Sequence, residues 1–202
     1  MYGLSKIEIS KRILRHLTSS NVVIQSATFS GSRNGLPWKI IVEFPNCTLR
    51  RYEIYMWTVG HGGKTRSVDE YRIQTKLKDG VRNLDFSFGT TLLIGYYDER
   101  TDRAGRSVGN LPVKGMEVIV GWNPIQHLRV GSSSSCHVPF HLLEEAYRKG
   151  ASVRARSLSQ SESEQVIAMR SEYFASYLAE AAGGHQFINL ERIMSRQTVG
   201  WN

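Results

Sequence analysis

The sequence predicts a mainly β chain with flanking helices, about seven strands forming a closed or half-closed barrel. Three observations predict it. From residue 21 onward apolar residues recur with period two in several short runs. Turns rich in Gly, Asn, Pro and Asp, such as SGSRNGLP, PNC, KDG and NP, separate those runs. No helices alternate with the strands, which argues against a parallel sheet with helical crossovers.

Ser5 is placed to cap a first helix over residues 5–18, with Glu8 completing a capping box. Ile7, Ile9, Ile13, Leu14 and Leu17 form its apolar stripe. Lys6, Lys11, Arg12 and Arg15 cover the rest, as a solvated face or a phosphate contact. Strands follow at VVIQSATF (22–29), WKIIVEF (38–44), RRYEIYMWTV (50–59), EYRIQTKL (70–77), DFSFGTTLLIGYYDE (85–99), MEVIVGW (116–122) and HLRV (127–130). A second helix fits HVPFHLLEEAYRKG (137–150) and ends at Gly150. SVRARSL (152–158) and EQVIAMR (164–170) read as a hairpin. SEYFASYLAEAA (171–182) reads as a third helix, capped by Ser171. Residues 1–182 thus read as one domain. Residues 183–202 show no sustained pattern and read as a tail or a linker to a further domain.

The charge is uneven. A net +8 and a pI near 9.7 point to an acidic partner. Residues 1–80 carry 13 Lys+Arg against 6 Asp+Glu, a surplus of seven, whereas residues 81–202 carry 13 against 12. That is the footprint of a phosphate-binding face, although an inert basic surface has the same totals. Cys47 and Cys136 stand far apart without histidines at ligand spacing. They make neither a disulfide framework nor a zinc site, and a reducing cytoplasm is the expected compartment. No apolar run is long enough to span a membrane, and the N-terminus lacks a signal peptide's apolar core. No catalytic triad order, Walker loop or metal-ligand spacing appears, so no cofactor is expected.

Four segments are candidates for contact with nucleic acid. SGSRNGLPWK (30–39) offers Ser30, Ser32, Arg33, Asn34 and Lys39; Arg suits guanine and Asn suits adenine, although Asn34-Gly35 is equally a turn signal. The glycine-rich loop 60–67 offers His61, Lys64 and Arg66, and Arg72 follows. YYDERTDRAGRSVGNLP (96–112) places Arg100, Arg103 and Arg106 three residues apart, for phosphate or for the neighbouring Asp98, Glu99 and Asp102. GSSSSC (131–136), with Ser133, precedes the second helix and suits a phosphate or ordinary capping. His127, His137, His141 and His185 stand in separate contexts and read as structural or exposed.

The segment YEIYMWTVGHGGKTRSVDEYRIQ (52–74), followed by TTLLIGYYDE, SSSSCHVP and FASYLAE, resembles effector domains of prokaryotic restriction endonucleases of the EcoRII, NgoAVII and LlaJI type. The resemblance implies an open β-pseudobarrel like the plant B-three domain, which grips duplex DNA with two arms. It implies a sequence-specific duplex DNA recognition module for phage defence. Cleavage would then fall to a nuclease or helicase/ATPase domain or subunit, with no catalysis by this chain. Two alternatives stay open. One is a compact magnesium-dependent nuclease using Asp69, Glu70, Gln74 and Lys76. The other is a reader of a modified base held between Trp38, Trp57, Tyr96 and Tyr97.

Overall fold

A computed structural model describes residues 3–30, 35–63, 65–77, 87–107, 109–128, 133–157, 163–182 and 188–199. Among these, ten strands occur: β1 (Val23–Phe29), β2 (Trp38–Glu43), β3 (Leu49–Thr58), β4 (Gly60–His61), β5 (Glu70–Lys76), β6 (Thr90–Asp98), β7 (Glu117–Trp122), β8 (Ser133–Pro139), β9 (Ala151–Ser157) and β10 (Ser163–Arg170). Six helices join them: α1 (Lys6–Ser19), α2 (Arg103–Ser107), α3 (Pro124–His127), α4 (Phe140–Lys149), α5 (Phe174–Ala181) and α6 (Leu190–Val199). Seven strands form one sheet in the order β1-β2-β3-β6-β7-β10-β9, and β4-β5-β8 form a second. The fold is an open β-pseudobarrel with flanking helices, as the family resemblance implies, with ten described strands in place of about seven and no closed barrel.

The period-two pattern is clearest in β2, where Trp38, Ile40 and Val42 are buried and their neighbours half-buried. In β6 and β7, and in β3 over Tyr52–Met56, burial is nearly continuous, because both faces are covered there. On one side α5 lies close: Tyr52 donates to the Leu178 carbonyl at 2.7 Å, and Gly121 gives room to Tyr177. On the other side the small sheet lies over β6, with Ile73 and Val59 against Gly95. The sequence argues against a parallel sheet with helical crossovers, and the structure contains a single parallel pair among the described strands. β3 and β6 pair in parallel, from Tyr52↔Thr90 to Thr58↔Tyr96. A parallel pair needs a long crossover, and among the described residues this one contains the strands β4 and β5 and no helix.

Other boundaries differ for local reasons. Residues 137–139 extend strand β8 instead of opening a helix, because Pro139 disfavours helical backbone at Val138 and β8 pairs along β5. Ser133–Cys136 are therefore strand residues and not a helix cap. His127 closes α3 and is not a strand residue, while residues 129–130 lie outside the described residues. Ser171 opens a 3-10 turn, and α5 starts three residues later. The polar connection after β6 folds into a 3-10 turn (Glu99–Thr101) and α2. The segment without a sequence pattern contains α6, whose Ile193 is fully buried and whose Arg196 pairs with Glu180 at 2.7 Å.

Two polar clusters fix the layers. At the first, Ser5 caps α1 as expected by accepting from the Glu8 N–H, but the Glu8 carboxylate takes Arg12 Nε at 3.2 Å. Arg12 also reaches Asp98 at 2.5 Å and Glu117 at 3.0 Å, so a helix cation expected at the surface ties α1 to β6 and β7. At the second, buried Asp102 accepts from Tyr71 at 2.5 Å, Tyr97 at 3.0 Å and the Gly105 N–H at 2.9 Å. Asn110 Nδ2 bridges the Tyr71 hydroxyl (3.0 Å) and the Val68 carbonyl (2.6 Å). A Cβ at position 105 would collide with Tyr71 and Asp102, which explains the glycine.

Asp102→Ala strands two buried hydroxyls at once, so it is expected to cost about 3 kcal/mol in urea unfolding, the scale of two unsatisfied donors. Glu117 is held down at about 2 from its ordinary 4.5, chiefly by His16, with Tyr96, Arg12 and Arg100 adding and burial opposing. Its folded pKa lies below its unfolded one, so its stabilisation is complete above pH 4.5 and is lost as pH falls toward 2. The stability gap between wild type and Glu117→Gln, measured against pH, should therefore shrink over that window.

Candidate nucleic-acid interface

The exposed face of the small sheet follows from strand parity. Tyr71, Ile73 and Thr75 are buried, so Arg72 and Gln74 project from the opposite face of β5. In β8, Cys136 and Val138 are buried, and Ser133, Ser135 and His137 take the other side. The register Arg72↔His137 and Gln74↔Ser135 brings Arg72, Gln74, Ser135 and His137 onto one polar face, with Ser133 two residues before Ser135 on β8. Burial pushes the Cys136 thiol beneath this face up to about 12.

Beside that face runs a groove of about 280 Å³ between β8 and the β9–β10 hairpin. Glu70, His137, Pro139, Arg154, Arg156 and Val166 line it. Arg154 and Arg156 stand two apart on β9, opposite Val166 and Glu164, and so share its groove-facing side. His137 is held below its ordinary 6.5, first by burial and then by Arg156, Arg72 and Arg66 against the pull of Glu70. Three arginines thus act on one imidazole from a strand, a second strand and a loop. Among the described residues Arg72, Arg154 and Arg156 form no ion pair, while most cations elsewhere do.

The loop before β5 is ordered by its own side chains. His61 Nε2 lies 2.9 Å from the Ser67 carbonyl, its Nδ1 accepts from the Gly63 N–H, and its ring packs edge-on to Tyr71. Gly63 has φ +106°, a conformation that favours glycine. Arg66 pairs with Glu70 at 3.8 Å. Asp69 caps α4 from across the chain, because its carboxylate accepts from the His141 N–H at 3.0 Å and holds the His141 ring at 2.9 Å. Pro139 offers that helix no side-chain cap.

The other sequence candidates fall as follows. Ser30 closes the β1–β2 hairpin through its N–H to the Pro37 carbonyl, and Ser32, Arg33, Asn34 and Lys64 lie outside the described residues. Lys39 is tied to buried Glu53 at 3.1 Å and lies over the Phe88 ring. Arg103 opens α2, Arg106 pairs with Glu99, and Arg100 with Asp98 and Glu117. Ser133 sits exposed at the start of β8.

Two alternative sites do not assemble. Trp38, Tyr96 and Tyr97 are core residues, at 1%, 0% and 0% exposure, so they cannot sandwich a base with Trp57. Asp69 lies in the turn before β5 with its carboxylate on the His141 ring, and Glu70 and Gln74 are about 13 Å apart along β5, beyond a shared magnesium shell. Among the described residues no three His, Cys, Asp or Glu side chains converge as a metal site. Arg154 and Arg156 were not among the residues singled out from the sequence, although the Arg-x-Arg spacing in a strand marks both as sharing one face of β9, where they line the groove.

The sequence profile described as methylase-associated X1 matches residues 50–178, well over half of the chain. The chain belongs to the methylase-associated X1 family. This family is associated with restriction–modification systems. The matched stretch of this methylase-associated X1 chain holds β5, β8, β9 and β10 whole, and so both walls of the groove. Comparisons with curated proteins and with solved structures find no match. Among the described residues no helix is long and apolar enough to cross a membrane.

Asp69→Ala removes the cap of α4 and is expected to lower stability by about 1 kcal/mol, the usual worth of a helix cap. Thermal or urea unfolding checks it.

Proposed function

We propose that this chain is the sequence-specific DNA-recognition module of a restriction–modification system, related in kind to the EcoRII-type effector domains. Cleavage is carried out by another domain or subunit, a nuclease or a helicase/ATPase, in the cytoplasm. The observation that carries the reading is the surface of the small sheet and its groove. There Arg72, Arg154 and Arg156 form no ion pair among the described residues and stand beside Gln74, Ser133, Ser135 and His137. Cations without carboxylate partners beside neutral hydrogen-bonding side chains are the combination that phosphate and base contacts require. The family's methylase association supports the setting.

In this reading Arg72 and Arg154 bind phosphates and set the register. The loops 30–39 and 60–67 carry the base-reading side chains, among them Arg33 and Asn34. Structural ion pairs already occupy Lys39, Arg100 and Arg106, so they contribute through the field rather than by direct contact.

Titration of a random-sequence duplex at increasing salt tests the proposal. With about six phosphates contacted, affinity should fall roughly a thousandfold between 50 and 200 mM salt. Arg72→Ala and Arg154→Ala should each weaken all sequences alike and reduce the salt slope by about 1. An affinity that salt leaves unchanged excludes this function.

A further inference from the structure

Phosphate alone does not account for the groove between β8 and β9. It presents Glu70 as well as Arg156, and His137 is under the influence of both. Glu70 Oε1 lies 3.6 Å from His137 Nδ1 and 3.8 Å from Arg66 Nη1. Yet this oxygen is shielded from water and accepts no hydrogen bond among the described residues. Arg156 Nη1 is likewise buried without a hydrogen-bond partner. Both side chains therefore gain by turning toward a ligand that supplies what they lack.

That ligand must donate to a carboxylate and accept from a guanidinium within one small recess. A phosphate would satisfy Arg156 but set its charge against Glu70 and Asp69. A nucleobase with an exocyclic amino group beside a ring nitrogen or carbonyl oxygen satisfies both partners. We propose that the groove is a nucleobase subsite: Glu70 accepts from the amino group of cytosine or adenine, and Arg156 donates to the neighbouring acceptor. The subsite rests on the DNA-recognition reading and adds what it discriminates. Thymine offers no amino donor. N-methylation replaces a hydrogen that the carboxylate takes and puts a methyl group against it. The base arrives either at its edge in the stacked duplex or after leaving the stack.

The experiment selects bound sites from a random-duplex pool with the whole chain. The enriched site is then remade with N4-methylcytosine, with N6-methyladenine, or with the preferred base in a mismatch. One amino-bearing position is expected at which methylation lowers affinity about ten- to a hundredfold, the scale of one good bidentate contact. Glu70→Ala should bind methylated and plain duplexes alike, and Arg156→Ala should weaken binding to the plain site. Tighter binding of the mismatched duplex assigns the subsite to an unstacked base, and equal or weaker binding assigns it to a stacked edge. If methylation of every amino position leaves affinity within about twofold, the subsite is wrong. The same holds if Glu70→Ala keeps the full methylation penalty. The methylation comparison uses the unaltered chain, so a misfolded variant cannot mask it. If the wild-type chain binds no duplex at all, DNA recognition falls and the subsite with it.

Discussion

One buried carboxylate holds the two sheets in register. Asp102 receives the hydroxyls of Tyr71, from the small sheet, and Tyr97, from the large one. Burial, joined by Asp102, drives both phenols far above their ordinary range, so they stay protonated donors at any physiological pH. Tyr71 also stacks on Phe140 at the start of α4 and meets His61 edge-on. The position of β5, the loop before it and the start of α4 thus depend on a single node. Because β8 pairs along β5, the distance from β8 to the β9 arginines depends on it too.

The chain uses its arginines in two ways, and the difference is legible in their partners. Arg12, Arg100 and Arg106 are held by Asp98, Glu117 and Glu99, and they fasten helix and loop to the sheet. Partly buried pairs of this kind fix geometry more than they add stability. Arg72, Arg154 and Arg156 stay outside that network; the other face of β5 is packed through Tyr71 and Ile73, whereas β9 leaves Val153 and Ala155 exposed. A rigid strand presenting free guanidinium groups is already organised for a ligand, and little freedom is lost on binding.

Much of the fold was legible because period-two burial writes itself into sequence. β2 falls where alternation puts it, β3 and the β9–β10 hairpin fall where β-favouring runs between turns put them, and α1 starts at its serine cap. What was not legible depends on partners distant in the chain. Nothing local marks Asp69 as the cap of a helix about seventy residues later, or makes β8 a strand rather than a helix start. The site was legible in part. Arg72 and Ser133, both singled out from the sequence, stand on the polar face of the small sheet, but the N-terminal charge surplus pointed away from β9. Net charge counts arginines without asking which are already paired. Arg12 and Lys39 swell the surplus while serving the interior, whereas Arg154 and Arg156 belong to the half whose charges cancel.

Hydrogen–deuterium exchange of the full chain, free and saturated with duplex DNA, tests the central claim that this node presents β5, β8 and β9 to DNA. The account predicts slowed exchange in those three strands and in the loop before β5, with α1 and α6 unchanged. Protection confined to α1 or to the β1–β2 edge, or no change anywhere, would contradict it.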